Sequence, residues 1–376
     1  MKIYYWSPFF TNIATIKAVI KSAESLIKFS KNKFNVSLIN SIGEWDKYKN
    51  DINSEINIIN LNKIKLIKYL PKNGFLKSRI SYMIIFFWNF SKLLNLINNK
   101  KPDFLIIHLM TSLPIFLSIF FNNKSKIILR ISGLPKINLL RYFFWKIFSK
   151  KIYKVTCPTI KTYDYLIKKN IFTKDQLNVL YDPVIDINTF IKKKNESFNF
   201  NILKNKKFIV SIGRLTKQKN FTLLINFFEK IRNKNFDLVI LGTGEDKEKL
   251  IKMTKDANVG NQVHFLDHQI NVFKFLKNAE CFILTSLWED PGFVIVEAGI
   301  SNTTVISSDC PNGPREIIGN NGFLFKNNDL LDLLEKFNMF LNESDNNLLR
   351  KKVLFKKNLK KFTMFQHFKN LDNILK

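Results

Sequence analysis

The sequence predicts an α/β fold of two domains, each a parallel sheet wrapped by helices. Short β-branched or apolar runs alternate with longer helical stretches, the signature of such a sheet. That alternation breaks after Asp182-Pro183 and restarts at Phe208. The chain has 376 residues, 46% of them hydrophobic, which is length and apolar mass for two buried cores.

In the first half the strands read as Lys2 to Trp6, Asn35 to Ile39, Ile56 to Asn60, Phe104 to His108, Lys126 to Ile131 and Lys154 to Pro158, with helices such as Ile13 to Ser30 and Ile80 to Asn98 between them. The 18 residues from Phe104 to Phe121 lack Asp, Glu, Lys and Arg, the lower limit for a membrane span. Pro114 would remove a backbone donor in mid-span, so a strand, a turn and a helix with Pro114 near its first turn is the better reading. The second half reads as strands Phe208 to Ile212, Asp237 to Leu241, Val263 to Leu266, Cys281 to Thr285 and Thr304 to Ser307, with helices Phe221 to Arg232, Lys247 to Asn258 and Phe293 to Ser301. The expected division is a first domain over 1–185, a linker over 186–202, a second domain over 203–360, and a final helix, 361–376, packing back on the first domain. Ligands of open α/β sheets bind at the carboxyl ends of the strands, so a cleft between the two domains is the expected site.

Sixty Lys and Arg face 30 Asp and Glu, a net charge of +30 that suits an anionic partner. Only seven of the basic residues are Arg, and the chain is crowded with Lys, Asn, Ile and Phe, as codons from an AT-rich genome would make it. Composition bias does not explain the distribution: residues 1–185 hold 30 basic and 9 acidic residues, while 186–376 hold 30 and 21. From Phe104 to Tyr163 no acidic residue occurs, although a solvated face normally mixes signs. Cys157, Cys281 and Cys310 form no CxxC pair, so a reducing compartment is expected, with neither a disulfide framework nor a zinc site. The start MKIYYWSPFF has no long apolar segment or A-x-A site and is not read as a signal peptide.

Two constellations carry chemistry. In FIVSIGRLTKQKN, residues 208–220, a strand ends at Gly213, and Arg214 and Lys219 occupy the loop leading into a helix. A helix N-terminus offers unpaired amides and a positive dipole end, and two added cations make a diphosphate site. In CFILTSLWEDPGFVIVEAGISN, residues 281–302, a strand is followed by a loop bearing Glu289, and Pro291-Gly292 introduces a helix that displays Glu297. The amides of Gly292, Phe293 and Val294 would point out of that helix, flanked by two carboxylates as hydroxyl acceptors. Donor amides beside carboxylates suit a polyhydroxyl phosphate ester such as a nucleotide sugar.

Together with the closing CPNGPREIIGNNGFLF, residues 310–325, these elements resemble glycosyltransferase family 4, retaining enzymes among the group 1 glycosyl transferases, across about a third of the chain. The resemblance implies the GT-B fold, two Rossmann-like domains with parallel sheets facing across a cleft. It further implies that Arg214 and Lys219 neutralise the donor diphosphate, that Glu289 contacts the donor sugar with Gly213, Gly292, Phe293 and Val294 nearby, and that Glu297 accepts from the ribose. Gly242 and Gly244 match the family's turn after the second strand of this domain, and Glu316 matches a loop position of unassigned role. The implied enzyme moves a hexosyl or N-acetylhexosaminyl group from a UDP- or GDP-sugar, with no cofactor and no metal. The four histidines, His108, His264, His268 and His367, indeed show no HxxH or HExxH spacing.

The first domain departs from the pattern. SPFFTNIAT, residues 7–15, contains no glycine where many relatives have a Gly-Gly loop, and Ser132 precedes Gly133 where many have a His. His108, Ser132 and Gly133 are therefore the candidate acceptor or sugar contacts on that side.

The segment KINLLRYFFWKIFSKKIYK, residues 136–154, sets Leu140, Phe143, Phe144, Ile147 and Phe148 at helical spacing among basic residues. Such a helix either lies on an anionic bilayer or covers a core with its basic side out; ISYMIIFFWNF, residues 80–90, is similar. A basic, aromatic-rich acceptor domain fits a lipid-linked or lipopolysaccharide-type glycan and a peripheral place on the cytoplasmic side of a membrane, in surface polysaccharide synthesis. The alternatives are a catalytically idle subunit of the same fold and a nucleic-acid binder. No helix-turn-helix, zinc-finger or RNP signature supports the last.

Overall fold

The structure is a computed structural model of the chain. It describes residues 1–10, 14–71, 75–121, 124–198, 200, 203 and 206–376, with backbone alone at 14, 75 and 76. The expected helix start at Ile13, part of the 7–15 loop, and residues 199, 201 and 202 of the expected linker lie outside the described residues. Two compact units result, 1–183 together with 364–376, and 184–363. Elements are numbered in chain order.

The first unit is built on a seven-stranded parallel sheet: β1 (Lys2–Trp6), β2 (Asn35–Asn40), β3 (Asn57–Asn60), β4 (Phe104–His108), β5 (Lys126–Arg130), β6 (Ile152–Cys157) and β7 (Leu177–Val179), in the order β3-β2-β1-β4-β5-β6-β7. Its helices are α1 (Ala14–Phe29), α2 (Phe75–Lys100), α3 (Ser112–Phe120), α4 (Leu139–Phe148) and α5 (Ile160–Lys169). Side chains alternate across a strand. Ile3, Tyr5, Phe104, Ile106 and Ile128 therefore join one buried cluster with α1, whereas Tyr4, Trp6, Leu105, Ile107, Ile127 and Leu129 join another with α2 to α5. Burial on both faces is why these strands read as unbroken apolar runs. The 104–121 segment is indeed strand, turn and helix, with Pro114 the third residue of α3.

The second unit holds a six-stranded parallel sheet: β8 (Phe208–Ile212), β9 (Asp237–Leu241), β10 (Val263–Leu266), β11 (Cys281–Leu284), β12 (Thr304–Ser308) and β13 (Phe323–Phe325), in the order β10-β9-β8-β11-β12-β13. Around it lie α6 (Ile187–Lys194), α7 (Phe221–Ile231), α8 (Lys247–Asp256), α9 (Phe273–Asn278), α10 (Phe293–Ile300), α11 (Pro314–Ile318), α12 (Leu330–Leu341) and α13 (Asp345–Asn358). Residues 186–202 differ from a simple linker. Their first part is α6, which packs on α9 with Phe190 and Phe273 ring centroids 5.2 Å apart, and Asn271 Nδ2 donates to the Lys193 carbonyl at 2.7 Å. The chain's last helix, α14 (Met364–Ile374), belongs to the first unit, where Leu371 and Ile374 enter the α1 side of the core.

Candidate active site

The sheet order of the second unit reverses between β8 and β11, so the loops leaving these strands emerge side by side at the switch point where open sheets bind ligands. Both sequence constellations sit on those two loops. After β8 the chain passes Gly213 and turns through Lys217–Lys219 before α7. The Lys219 side chain lies over the Gly213 α-carbon; a Cβ there would stand 3.1 Å from Lys219 Cε, so glycine gives this lysine its path. Close packing continues into the next loop. At Gly242, with φ +147°, a Cβ would stand 1.9 Å from the Gly213 carbonyl oxygen, and at Gly244 one would stand 2.2 Å from that of Leu215.

Lys219 Nζ donates to Glu289 Oε1 at 2.6 Å, with side-chain exposures of 13% and 5%. The Ser286 hydroxyl donates to the same oxygen at 2.5 Å. Gln218 ties the two loops together: its side-chain amide donates to the Trp288 carbonyl at 2.9 Å, and its own carbonyl accepts from the Leu287 amide at 2.8 Å. Gln218 Oε1 also accepts from the exposed Arg214 guanidinium at 3.4 Å. The Glu289 loop is held from its other side by the segment after β12, where the Pro311 carbonyl accepts from the Glu289 amide at 3.2 Å and Asn312 Nδ2 donates to Asp290 Oδ1 at 2.8 Å. Gly313, at φ +140°, sits where a Cβ would be 1.8 Å from the Pro291 carbonyl oxygen.

Gly292, at φ +99°, turns this loop into α10, and no side chain caps that helix. Its first residues, Phe293 and Val294, are half-buried and follow a glycine that abuts the Glu289 stem. Glu297 stands one turn into α10, half-buried. The structure thus joins Arg214, Lys219 and Glu289 through direct contact or through Gln218, and places Glu297 on the helix their loop feeds. Ser286 and Gln218, which hold the carboxylate and the guanidinium, carry no motif that sequence reading could catch. Cys310 lies close by, and burial foremost pushes its thiol up to about 12, with the Glu289 charge adding to the shift and Lys219 opposing it. It stays a neutral packing group. Glu316 is half-buried on α11, and its carbonyl accepts from Lys361 Nζ at 3.2 Å.

In the first unit, His108 ends β4 but is only 1% exposed, with both ring nitrogens unpartnered. Burial first, then the Arg130 charge opposite it in register, holds it well below the usual imidazole value. It is a neutral, enclosed ring with both nitrogens buried. Arg130 itself is buried against Asp182. Ser132 and Gly133 follow β5 and are half-buried. Among the described residues, no group of three or more His, Cys, Asp or Glu could hold a metal ion.

Two Rossmann-like units, the second with a cationic loop and a glutamate loop at its switch point, define the GT-B class of fold. Over 99% of this chain and 99% of its own, the structure of Anabaena HepE in complex with UDP superposes with a TM-score of 0.78 at 14% identity, which shows that fold. Residues 192–361 match the family described as Glycosyl transferases group 1. An uncharacterized glycosyltransferase of Methanocaldococcus jannaschii is 34% identical over 256 residues, 60% of each chain. The N-acetylgalactosamine-N,N'-diacetylbacillosaminyl-diphospho-undecaprenol 4-alpha-N-acetylgalactosaminyltransferase of Campylobacter jejuni is 26% identical over 211 residues, 54% of this chain and 56% of that one. The chain therefore spans about 60% of the length of these curated relatives.

Proposed function

We propose that the protein is a retaining glycosyltransferase of family 4, which moves a hexosyl or N-acetylhexosaminyl group from a UDP- or GDP-sugar to a membrane-associated glycan in surface polysaccharide or lipopolysaccharide synthesis. The observation that carries the reading is the Lys219–Glu289–Ser286 contact, tied through Gln218 to Arg214 and set beside the uncapped start of α10. As the glycosidic bond breaks, the leaving diphosphate gathers negative charge. Arg214, Lys219 and the α10 amides would stabilise that charge more in the transition state than in the ground state. An ammonium has three donors, so Lys219 can hold Glu289 and a phosphate oxygen together. These cations do the work a metal would otherwise do, and the reading calls for no cofactor.

Glu289 Oε1 already accepts from both Lys219 and Ser286. In this reading Glu289 holds sugar hydroxyls, and the transfer is a same-face one with no glycosyl-enzyme intermediate. Glu297 is assigned to the ribose. The Campylobacter relative, named for a diphospho-undecaprenol acceptor, supports a lipid-linked glycan, and with it a peripheral place on the cytoplasmic face of a membrane. Purified protein incubated with UDP-, GDP- and ADP-sugars tests the proposal. Release of nucleoside diphosphate from one of them is expected, and silence toward all of them overturns it. Binding without turnover would mark an idle subunit of the same fold.

A further inference from the structure

Helices α2, α3 and α4 cover one face of the first unit's sheet: Phe86 and Phe90 of α2 each lie 6.0 Å from Phe116 of α3, and Leu93, Ile97 and Trp145 share one buried cluster. Their outward sides carry large apolar side chains among the basic ones. Met83 is 61% exposed, Phe87 70%, Phe120 60%, Leu140 82%, Phe143 58% and Ile147 65%. On α2 this surface dips into an open hollow of about 610 Å³ lined by Ile80, Met83, Ile84, Phe87 and Trp88. The three helices carry six basic residues and no acidic one.

We propose that this helical layer is a docking face for an anionic lipid bilayer, lying in the interface and taking hydrocarbon chain ends between its exposed aromatic and aliphatic side chains. Exposed apolar patches of this extent mark interaction sites, and charge decides among occupants. Pairing with a second copy would set one face whose helix charges are all positive against another, whereas lipid phosphates neutralise them. The stretch Lys77–Lys100 of α2 is long and apolar enough to span a membrane. It lies on the surface instead, because Ile85, Leu93 and Ile97 are fully or almost fully buried in the unit and a span would strip the sheet of its cover.

The inference rests on the membrane-bound acceptor of the proposed function, and it names the surface that brings the enzyme there. The test is flotation of the full chain with phosphatidylglycerol-containing vesicles. The wild type should float with these, and at least tenfold less with phosphatidylcholine alone or in 0.5 M salt. The Phe87→Glu/Phe143→Glu variant should float at least tenfold less, with an unchanged unfolding midpoint, because both side chains are exposed. Lys150→Glu/Lys151→Glu, at exposed positions in the turn that directly follows α4, should weaken binding only at low salt. A wild type that stays unbound, a variant that floats like the wild type, or a dimer that the Phe variant dissolves would overturn the proposal. Flotation without nucleotide-sugar turnover would leave this surface standing while removing the transferase reading.

Discussion

The Lys219 ammonium stands 2.6 Å from Oε1 of Glu289, across two loops that meet only because β8 and β11 are sheet neighbours. Both side chains are nearly enclosed, at 13% and 5% exposure. Removing one leaves the other without its counter-charge. Lys219→Met should therefore lower stability by about 3 kcal/mol and lower kcat by about 10²- to 10³-fold. Adding Glu289→Gln should recover most of the stability and none of the turnover. Urea unfolding and donor turnover of the two variants check both halves.

Loop geometry gives a second prediction. Gly313→Ala places a methyl 1.8 Å from the Pro291 carbonyl at a φ of +140°, so the loop that carries Glu289 must shift. A loss of about 3 kcal/mol or more is expected. Gly260→Ala, where the nearest atom to the new methyl is 3.9 Å away, should be close to neutral. Unfolding midpoints of the pair, read side by side, decide it.

Local pattern made much of this legible in the sequence. β1, β4, β8, β9 and β10 begin and end where expected, because strands buried on both faces read as mainly apolar runs, with single polar residues such as Ser211 and His264 inside them. The three-residue strands β7 and β13 and the short helix α9 escaped, being too brief to show a period. The loops bearing Arg214, Lys219 and Glu289 were readable as motifs, whereas the contacts that lock them were not. Gln218 meets Trp288 across 70 positions, and Gly313 meets Pro291 through a close backbone approach that leaves no trace in composition. His108 ends its strand as expected, but its enclosure beside the Arg130–Asp182 pair depends on residues brought together only by the sheet.

The last helix supplies a pH dependence. The Tyr181 carbonyl can only accept, so His367 Nδ1 donates to it at 2.7 Å; neutral Nε2 then accepts from the Ser22 hydroxyl at 2.8 Å, and Ser22 accepts from Tyr5 at 3.0 Å. Burial, opposed by the Tyr181 bond and Asp182 and aided by Arg130, pushes His367 down to about 4. A depressed imidazole gives its full stability above its unfolded value near 6.5 and loses it as pH falls toward 4. The loss amounts to about 3 kcal/mol at most, and His108 adds to it with the same sign. Urea midpoints measured between pH 7 and 4 should fall steeply for the wild type and less steeply for His367→Gln; equal slopes would contradict the assignment.

Calorimetric titration of UDP, GDP and ADP, each against its monophosphate, into the wild type, Arg214→Ala and Lys219→Met tests the diphosphate site most directly. One diphosphate should bind at least tenfold tighter than its monophosphate, and each substitution should erase that advantage. Equal affinity for mono- and diphosphates, or undiminished diphosphate binding in both variants, would contradict it.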